Sequence, residues 1–396
     1  MSKTTDKARP RLVTRPFMLV MLANFAYFLA VGATLPTVPR FVEGPLGGGS
    51  LAVGLTIGTF SLAAVLLRPF TGRLADKRGR KVLIVVGGAI VALSLLGYVF
   101  THSLVVLMLL RIASGAGEAL FYVGTASAIN DLAPDERRGE ALSYFSLSLF
   151  AGIGLGPILG ESLLDASGYN TAWVVAAACS GLAAVIGAFI PETRPDDLER
   201  DGSNALLSRS AVLPGSVMAA SIWGLAMFST FVPLYALRIG LSGSRFLFAL
   251  HSTVVFAVRL FGARLPDRLG ATTAARGALA CSVLGFIIMG SFGSQTGLVV
   301  GTIVWSLGHS LAFPALMSMA VKGAPASERG AVVGTFTAFF DLAFGLGAMA
   351  AGGIVDISGY RGGFFSASIA AGAGLLLLQF NKRRKARGPA TSTATL

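Results

Sequence analysis

The chain has 396 residues, of which 54% are hydrophobic and only 13% charged, about half the charged share of an ordinary soluble domain. Such a chain would expose wide apolar surfaces in water, so the composition excludes a soluble globular protein and points to a lipid bilayer as solvent. A net charge of +13 would suit a nucleic-acid binder, but the bases sit in short segments between apolar runs, which argues against that partner.

Residues 1–16 read as a polar, basic N-terminal tail. The first apolar run, Phe17 to Pro39, is longer than a signal h-region and no small-residue cleavage site follows it, so it reads as a membrane helix. Further runs of spanning length lie at 51–71, 82–101, 104–129, 140–164, 171–190, 212–237, 246–265, 271–292, 297–321, 330–354 and 361–380. The expectation is an all-α membrane protein of twelve helices. Its N-terminal half covers 17–190, a linker 191–211, its C-terminal half 212–380 and a basic tail 381–396.

The connections alternate in charge. Arg73, Lys77, Arg78, Arg80 and Lys81 follow the second run, Arg137 and Arg138 the fourth, and Lys382, Arg383, Arg384 and Lys385 the last. The N-terminus and the segments 191–211, 264–276 and 322–329 are basic as well, whereas the alternate connections on the opposite side carry only Arg40, Arg238, Arg245 and Arg361. Bases concentrate on the cytoplasmic side of membrane proteins, so both termini and the linker are expected there, in a cell (inner or plasma) membrane.

The two halves repeat one another at a constant offset of 191 residues. Arg68 and Arg259, Asp76 and Asp267, Gly79 and Gly270, Gly156 and Gly347, and Gly168 and Gly359 all match in that register. Duplicated halves predict pseudo-symmetry about a central axis, with a small-molecule substrate near the bilayer midplane. Cys179 and Cys281 lie inside apolar runs and read as small hydrophobes rather than as a disulfide. No Walker loop, nucleophile elbow or metal-ligand cluster is legible, so neither an enzyme nor a metal or cofactor site is expected.

Three segments carry the functional expectations. After the second run stands Gly72-Arg-Leu-Ala-Asp-Lys-Arg-Gly-Arg-Lys81, in which Gly72 and Gly79 would permit a tight turn and Asp76 could meet a cation or a helix N-terminus. In the fourth run Arg111, Gly115, Glu118 and Tyr122 recur at helical spacing on one face. Intramembrane charges are expensive and usually face the bundle interior, so Glu118 and Arg111 read as a proton-responsive pair, or as a static pair that fixes packing. In the fifth run Gly152, Gly156 and Gly160 would let helices approach closely, and Pro157 would bend the helix.

Asn24, Tyr27, Tyr122, Trp223, Trp305, Phe339 and Phe340 are expected to line a cavity. Asp341 and His309 are further titratable groups, and the repeat sets His309 opposite Glu118. His251, Arg68 and Arg259 read as residues near helix ends that snorkel towards water. Glu161 reads as a solvated carboxylate near the outer surface, with gating of the cavity as the alternative.

The first segment resembles the signature of the major facilitator superfamily almost residue for residue, and the other two resemble motifs of its twelve-helix drug:proton antiporters. The resemblance implies a gating role for Gly72, Asp76, Gly79 and Arg80, with Asp131 ending helix four as the partner of Arg80, and Asp267 as part of a second copy. It implies export for Gly152, Gly156, Pro157 and Gly160, although Glu161 stands where that motif has another glycine. The expected activity is proton-coupled export of a small amphipathic compound by a monomer in the lipid bilayer. Uptake of a metabolite such as a sugar or organic acid is the alternative.

Overall fold

The computed structural model describes residues 12–194, 208–261, 268–322 and 329–386. Among them the chain is helical throughout: α1 (Arg15–Glu43), α2 (Ser50–Arg78), α3 (Arg80–Tyr98), α4 (Leu104–Leu132), a 3₁₀ turn (Asp135–Arg137), α5 (Arg138–Ala188), α6 (Arg209–Arg238), α7 (Arg245–Phe261), α8 (Ala271–Ser291), α9 (Gln295–Lys322) and α10 (Arg329–Ala386). A 29-residue helix such as α1 is about 43 Å long at 1.5 Å per residue, ample for a hydrocarbon core of about 30 Å. Nine of the described helices are long and apolar enough to cross a membrane. Large apolar side chains such as Leu66, Leu93 and Phe100 stand exposed on their flanks, which suits lipid and would be a liability in water.

Ten described α-helices, rather than twelve, result from two continuous elements that each absorb a pair of expected runs. In α5 the break is Gly168 (φ 81°, ψ −179°), and in α10 it is Gly359 (φ 70°, ψ 178°). One residue in a conformation open to glycine suffices to join the flanking segments, so no polar loop is needed. Gly79 and Gly270 likewise share positive φ, 92° and 81°. Both pairs lie at the 191-residue offset, so the duplication extends to the backbone.

The chain divides into two compact units, residues 1–37 with 63–200 and residues 38–62 with 201–396. In the first, α3 packs along α4 and α5. A methyl group on Gly87 would come within 2.6 Å of the Gly117 carbonyl, so glycine here lets α3 and α4 pass closely. The equivalent contact in the second unit sets Gly308 of α9 against the Ala278 carbonyl of α8. There α6 runs along α10 and α8 pairs with α9, around a core that includes Met218, Ile222, Leu279, Leu316 and Phe336. The middle of α6 is buried almost all round, including Met227, Phe228 and Phe231, the signature of a central helix.

Candidate functional site

The signature segment is helical almost throughout. α2 continues to Arg78 and α3 begins at Arg80, leaving Gly79 alone between them. Gly72 therefore sits within α2 and makes no turn, contrary to the sequence expectation; the helical pattern persists because nothing before Gly79 breaks it. Positive φ at Gly79 aims Arg80 back across the junction. Its Nε donates to Asp131 Oδ2 at 3.0 Å, while Nη1 donates to Asp76 Oδ1 at 3.1 Å and to the Ala75 carbonyl at 2.8 Å. The Arg80 side chain is 6% exposed and that of Asp76 58%, so the guanidinium fork is the buried hub and Asp76 its wet arm. Asp267, the expected second copy of Asp76, lies outside the described residues.

Glu192 completes this junction and had no place in the sequence expectation. Its carboxylate accepts the backbone N–H of Arg80 at 2.8 Å and of Lys81 at 3.3 Å, together with those of Thr193 and Arg194 at 3.0 Å. The first two are among the four unpaired N–H groups that open any helix, so Glu192 caps α3 from a distance. Burial pushes its pKa up, but the four backbone donors outweigh that and hold it below the ordinary glutamate value. The only sequence signal was an acid directly after an apolar run, in Pro191-Glu192-Thr193.

Within the apolar part of the first unit, Arg68 of α2 reaches Glu118 of α4, with Nη2 3.3 Å from Oε1. Two expectations are thereby corrected. Arg68 does not snorkel, and the ion-pair partner of Glu118 is Arg68 rather than Arg111. Arg111 stands seven residues, about 10 Å of rise, from Glu118 on α4, and it is the approach of α2 that supplies the partner. Arg111 is buried on the same helix, and its charge, like those of Arg68 and Glu118, reaches Tyr27. The Arg68 guanidinium also lies 4.7 Å from the centre of the Tyr122 ring, within cation–π range. Oε2 of Glu118 is buried and has no hydrogen-bond partner among the described residues.

Around this pair, Tyr27 stacks on Phe121 at 3.9 Å and is wholly buried. Asn24 is also buried, and its amide donates to Ser148 Oγ at 2.7 Å. The glycine segment of α5 makes the close approach expected of it. Gly152 lies against Phe25 and Leu29, Gly156 against Gly32, and Gly160 against Ala33 of α1, with Pro157 inside the helix. Glu161, the next residue, is 0% exposed, which corrects its reading as a solvated carboxylate.

In the second unit, His251 of α7 stacks on Trp305 of α9 at 4.5 Å, and its ring centre is 5.4 Å from that of His309. His251 therefore packs into the unit instead of snorkelling as expected; the half-buried Arg259 stands two turns further along α7. Trp223 donates to Ser366 Oγ at 3.2 Å. Phe339 covers Gly215, Phe340 packs edge-on against Phe313 at 6.2 Å, and Asp341 is half-buried beside them in sequence on α10.

Comparison with known proteins agrees with this architecture. A family profile described as Major Facilitator Superfamily matches residues 20–348 and 292–395. The uncharacterized MFS-type transporter YhhS of Escherichia coli (strain K12) is 27% identical over 389 residues, covering 94% of each chain. The uncharacterized MFS-type transporter STM4428 of Salmonella typhimurium is 27% identical over 367 residues, covering 89% of this chain and 92% of its own. Among solved structures, a bacterial homologue of the human lysosomal transporter Spinster, inward-facing and occupied, superposes with a TM-score of 0.78 at 14% identity, over 93% of this chain and 96% of that one. The human organic anion transporter MFSD10 (TETRAN) gives a TM-score of 0.70 at 21% identity, over 92% and 99%. A chain of membrane-spanning helices with this signature junction, matched along nearly its whole length, is a multi-pass membrane protein that belongs to the Major Facilitator Superfamily of transporters.

Proposed function

We propose that this transporter is a proton-coupled exporter of a small amphipathic compound, working as a monomer by alternating access in a cell membrane with both termini cytoplasmic. Twelve spans in two six-helix halves are consistent with the ten described helices, because cutting α5 at Gly168 and α10 at Gly359 yields six segments before residue 200 and six after it. The charge asymmetry of the connections supports the orientation. The glycine contacts of α5 with α1 support the antiporter reading.

One observation carries the coupling: Glu118 is a buried carboxylate with one oxygen held by Arg68 and the other unmet among the described residues. An ionised buried carboxylate with an unmet oxygen is costly, and a proton on it removes the charge that makes up most of that cost. Protonation would loosen the Arg68 contact; hydration of an open cavity would favour release of the proton and re-formation of the pair. Coupling follows when those two situations belong to opposite faces of the cycle. Arg111 tunes the field, and Arg80 with Asp76 and Asp131 forms a latch on the cytoplasmic side.

The test is accumulation of amphipathic fluorescent dyes of either charge in inverted membrane vesicles. Glu118→Gln should abolish accumulation driven by a pH gradient while leaving downhill exchange intact. Normal gradient-driven accumulation by the variant would move the coupling site to Asp341 or His309.

A further inference from the structure

We propose that Tyr360, bonded to Glu43 and covered by Arg238, is a latch that holds the facing ends of α1 and α2 on α10 and sets how often this end of the transporter opens. Such a latch requires alternating access but neither proton coupling nor a particular substrate, and so goes beyond the proposed function.

Both α1 and α2 are divided between the two units. Residues 38–62, which are the last residues of α1, the connection and the first half of α2, group with the second unit. There α2 meets α10 on glycine. A methyl group on Gly58 would come within 2.5 Å of the Gly345 carbonyl, one on Gly352 within 2.7 Å of the Ser50 carbonyl, and one on Gly54 would strike the Ala348 carbonyl. Backbone therefore lies on backbone along much of this crossing. Lipid is as apolar as the helices, so no hydrophobic drive holds such a contact closed. Small residues can part and meet again without repacking a core. A directional polar contact at the same place can then decide between the closed and the parted arrangement.

That contact stands where α10 bends. Gly359 has φ 70° and turns the chain, so Tyr360 opens the second segment of α10. Tyr360 is 6% exposed, and its ring centre is 5.5 Å from that of Tyr235. Its hydroxyl donates to Glu43 Oε1, at the end of α1, over 3.2 Å. The Arg238 guanidinium, at the end of α6, lies 5.6 Å from the ring centre, within cation–π range. One phenol thus ties α10 to α1 beneath a charge from α6, and a hydroxyl donating to a carboxylate belongs to the stronger class of hydrogen bonds. A second tie reaches α2: an Asp356 carboxylate oxygen of α10 would lie 3.3 Å from a methyl group on Gly49, just before the positive end of that helix. Asp356 is exposed, so water weakens this tie, and the buried phenol is the stronger of the two.

Double electron–electron resonance on the purified full-length protein reads the motion directly. Cys179 and Cys281 are replaced by alanine, and spin labels are attached at Leu51→Cys on α2 and Ile369→Cys on α10, where the parent side chains are 45% and 73% exposed. Tyr360→Phe keeps the ring beneath Arg238 and removes only the bond to Glu43. The longer-distance population should rise about fivefold, the order expected for one net hydrogen bond. Glu43→Ala, at an exposed position, should do the same. The double variant should do no more than the larger single change, because both remove one bond. Glu43→Gln keeps an acceptor oxygen and should stay near the parent. Distances that match the parent in both Tyr360→Phe and Glu43→Ala, or shifts that add in the double variant, would overturn the latch. With neither substrate nor gradient in the sample, that failure leaves proton-coupled export standing. Conversely, gradient-driven accumulation by Glu118→Gln would move the coupling site and leave the latch in place.

Discussion

Arg68 on α2 and Glu118 on α4 form an ion pair in the apolar part of the first unit, 3.3 Å apart, with the carboxylate side chain 9% exposed. Removing one member of such a pair leaves the other as an uncompensated buried charge, at a cost of about 3–5 kcal/mol. Arg68→Ala should therefore lower the melting temperature clearly, whereas the double variant Arg68→Ala with Glu118→Gln should recover much of the loss. Scanning fluorimetry of the purified variants checks this. Purely additive losses would mean that the two side chains do not depend on each other.

Arg80 and Asp76 share a hydrogen bond but should respond differently to substitution. Asp76→Asn removes a charge from a carboxylate that is largely in water, a change of about 0–1 kcal/mol. Arg80→Ala strips the partner from Asp131, whose side chain is 14% exposed, and costs several times more. Under the proposed latch, Asp76→Asn lowers transport sharply at near-normal expression and melting temperature, since it alters the balance between conformations. A transport rate equal to that of the parent would reduce Asp76 to an ordinary surface acid.

Gly156 tests the crossing of α1 and α5. A methyl group there would meet the Gly32 backbone at 2.5 Å, so the helices would have to separate. Gly156→Ala should cost about 1–3 kcal/mol, the usual range for overpacking. Gly139, at the start of α5, has nothing within 4 Å. Gly139→Ala should be neutral or slightly stabilising, because alanine is the better helix former. Similar losses from the two substitutions, read by thermal unfolding, would remove close packing as the explanation.

Glu192 gives a pH dependence of definite sign. Its pKa is lowered by the backbone donors of the α3 cap, so its stabilising effect is present above the ordinary glutamate value of 4.5 and is lost as pH falls below that value through the folded-state pKa. Melting temperatures measured from pH 7 to pH 3 should therefore converge between the parent protein and Glu192→Gln, with the gap widest at neutral pH. A gap that stays constant across the acid range would show that the charge contributes nothing to the cap.

Much of the fold is legible in the chain because a bilayer imposes simple local demands. A spanning helix must be a long apolar run, and such runs read directly from composition, as α1 and α4 do. The repeat was equally plain, since matched residues at one offset need no structure to be seen. Gly156 and Glu118 stood out for the same reason: a glycine or a charge among apolar residues is an anomaly in one dimension.

What tertiary structure decided was which anomalies meet. Arg68 and Glu118 lie fifty residues apart on different helices, and only the approach of α2 to α4 joins them. The spacing of Arg111 and Glu118 suggested a pair, but α2 brings Arg68 to the carboxylate instead. Glu192 and His251 were inconspicuous because their roles depend on partners from distant segments, the N–H groups of α3 and the indole of Trp305. Glu161 misled for the converse reason, since its position in the run gave no sign that packing would bury it. Local sequence dictates helices because their hydrogen bonds are local; long-range contacts select the partners of charged and polar groups, and in an apolar interior those partners determine what each group can do.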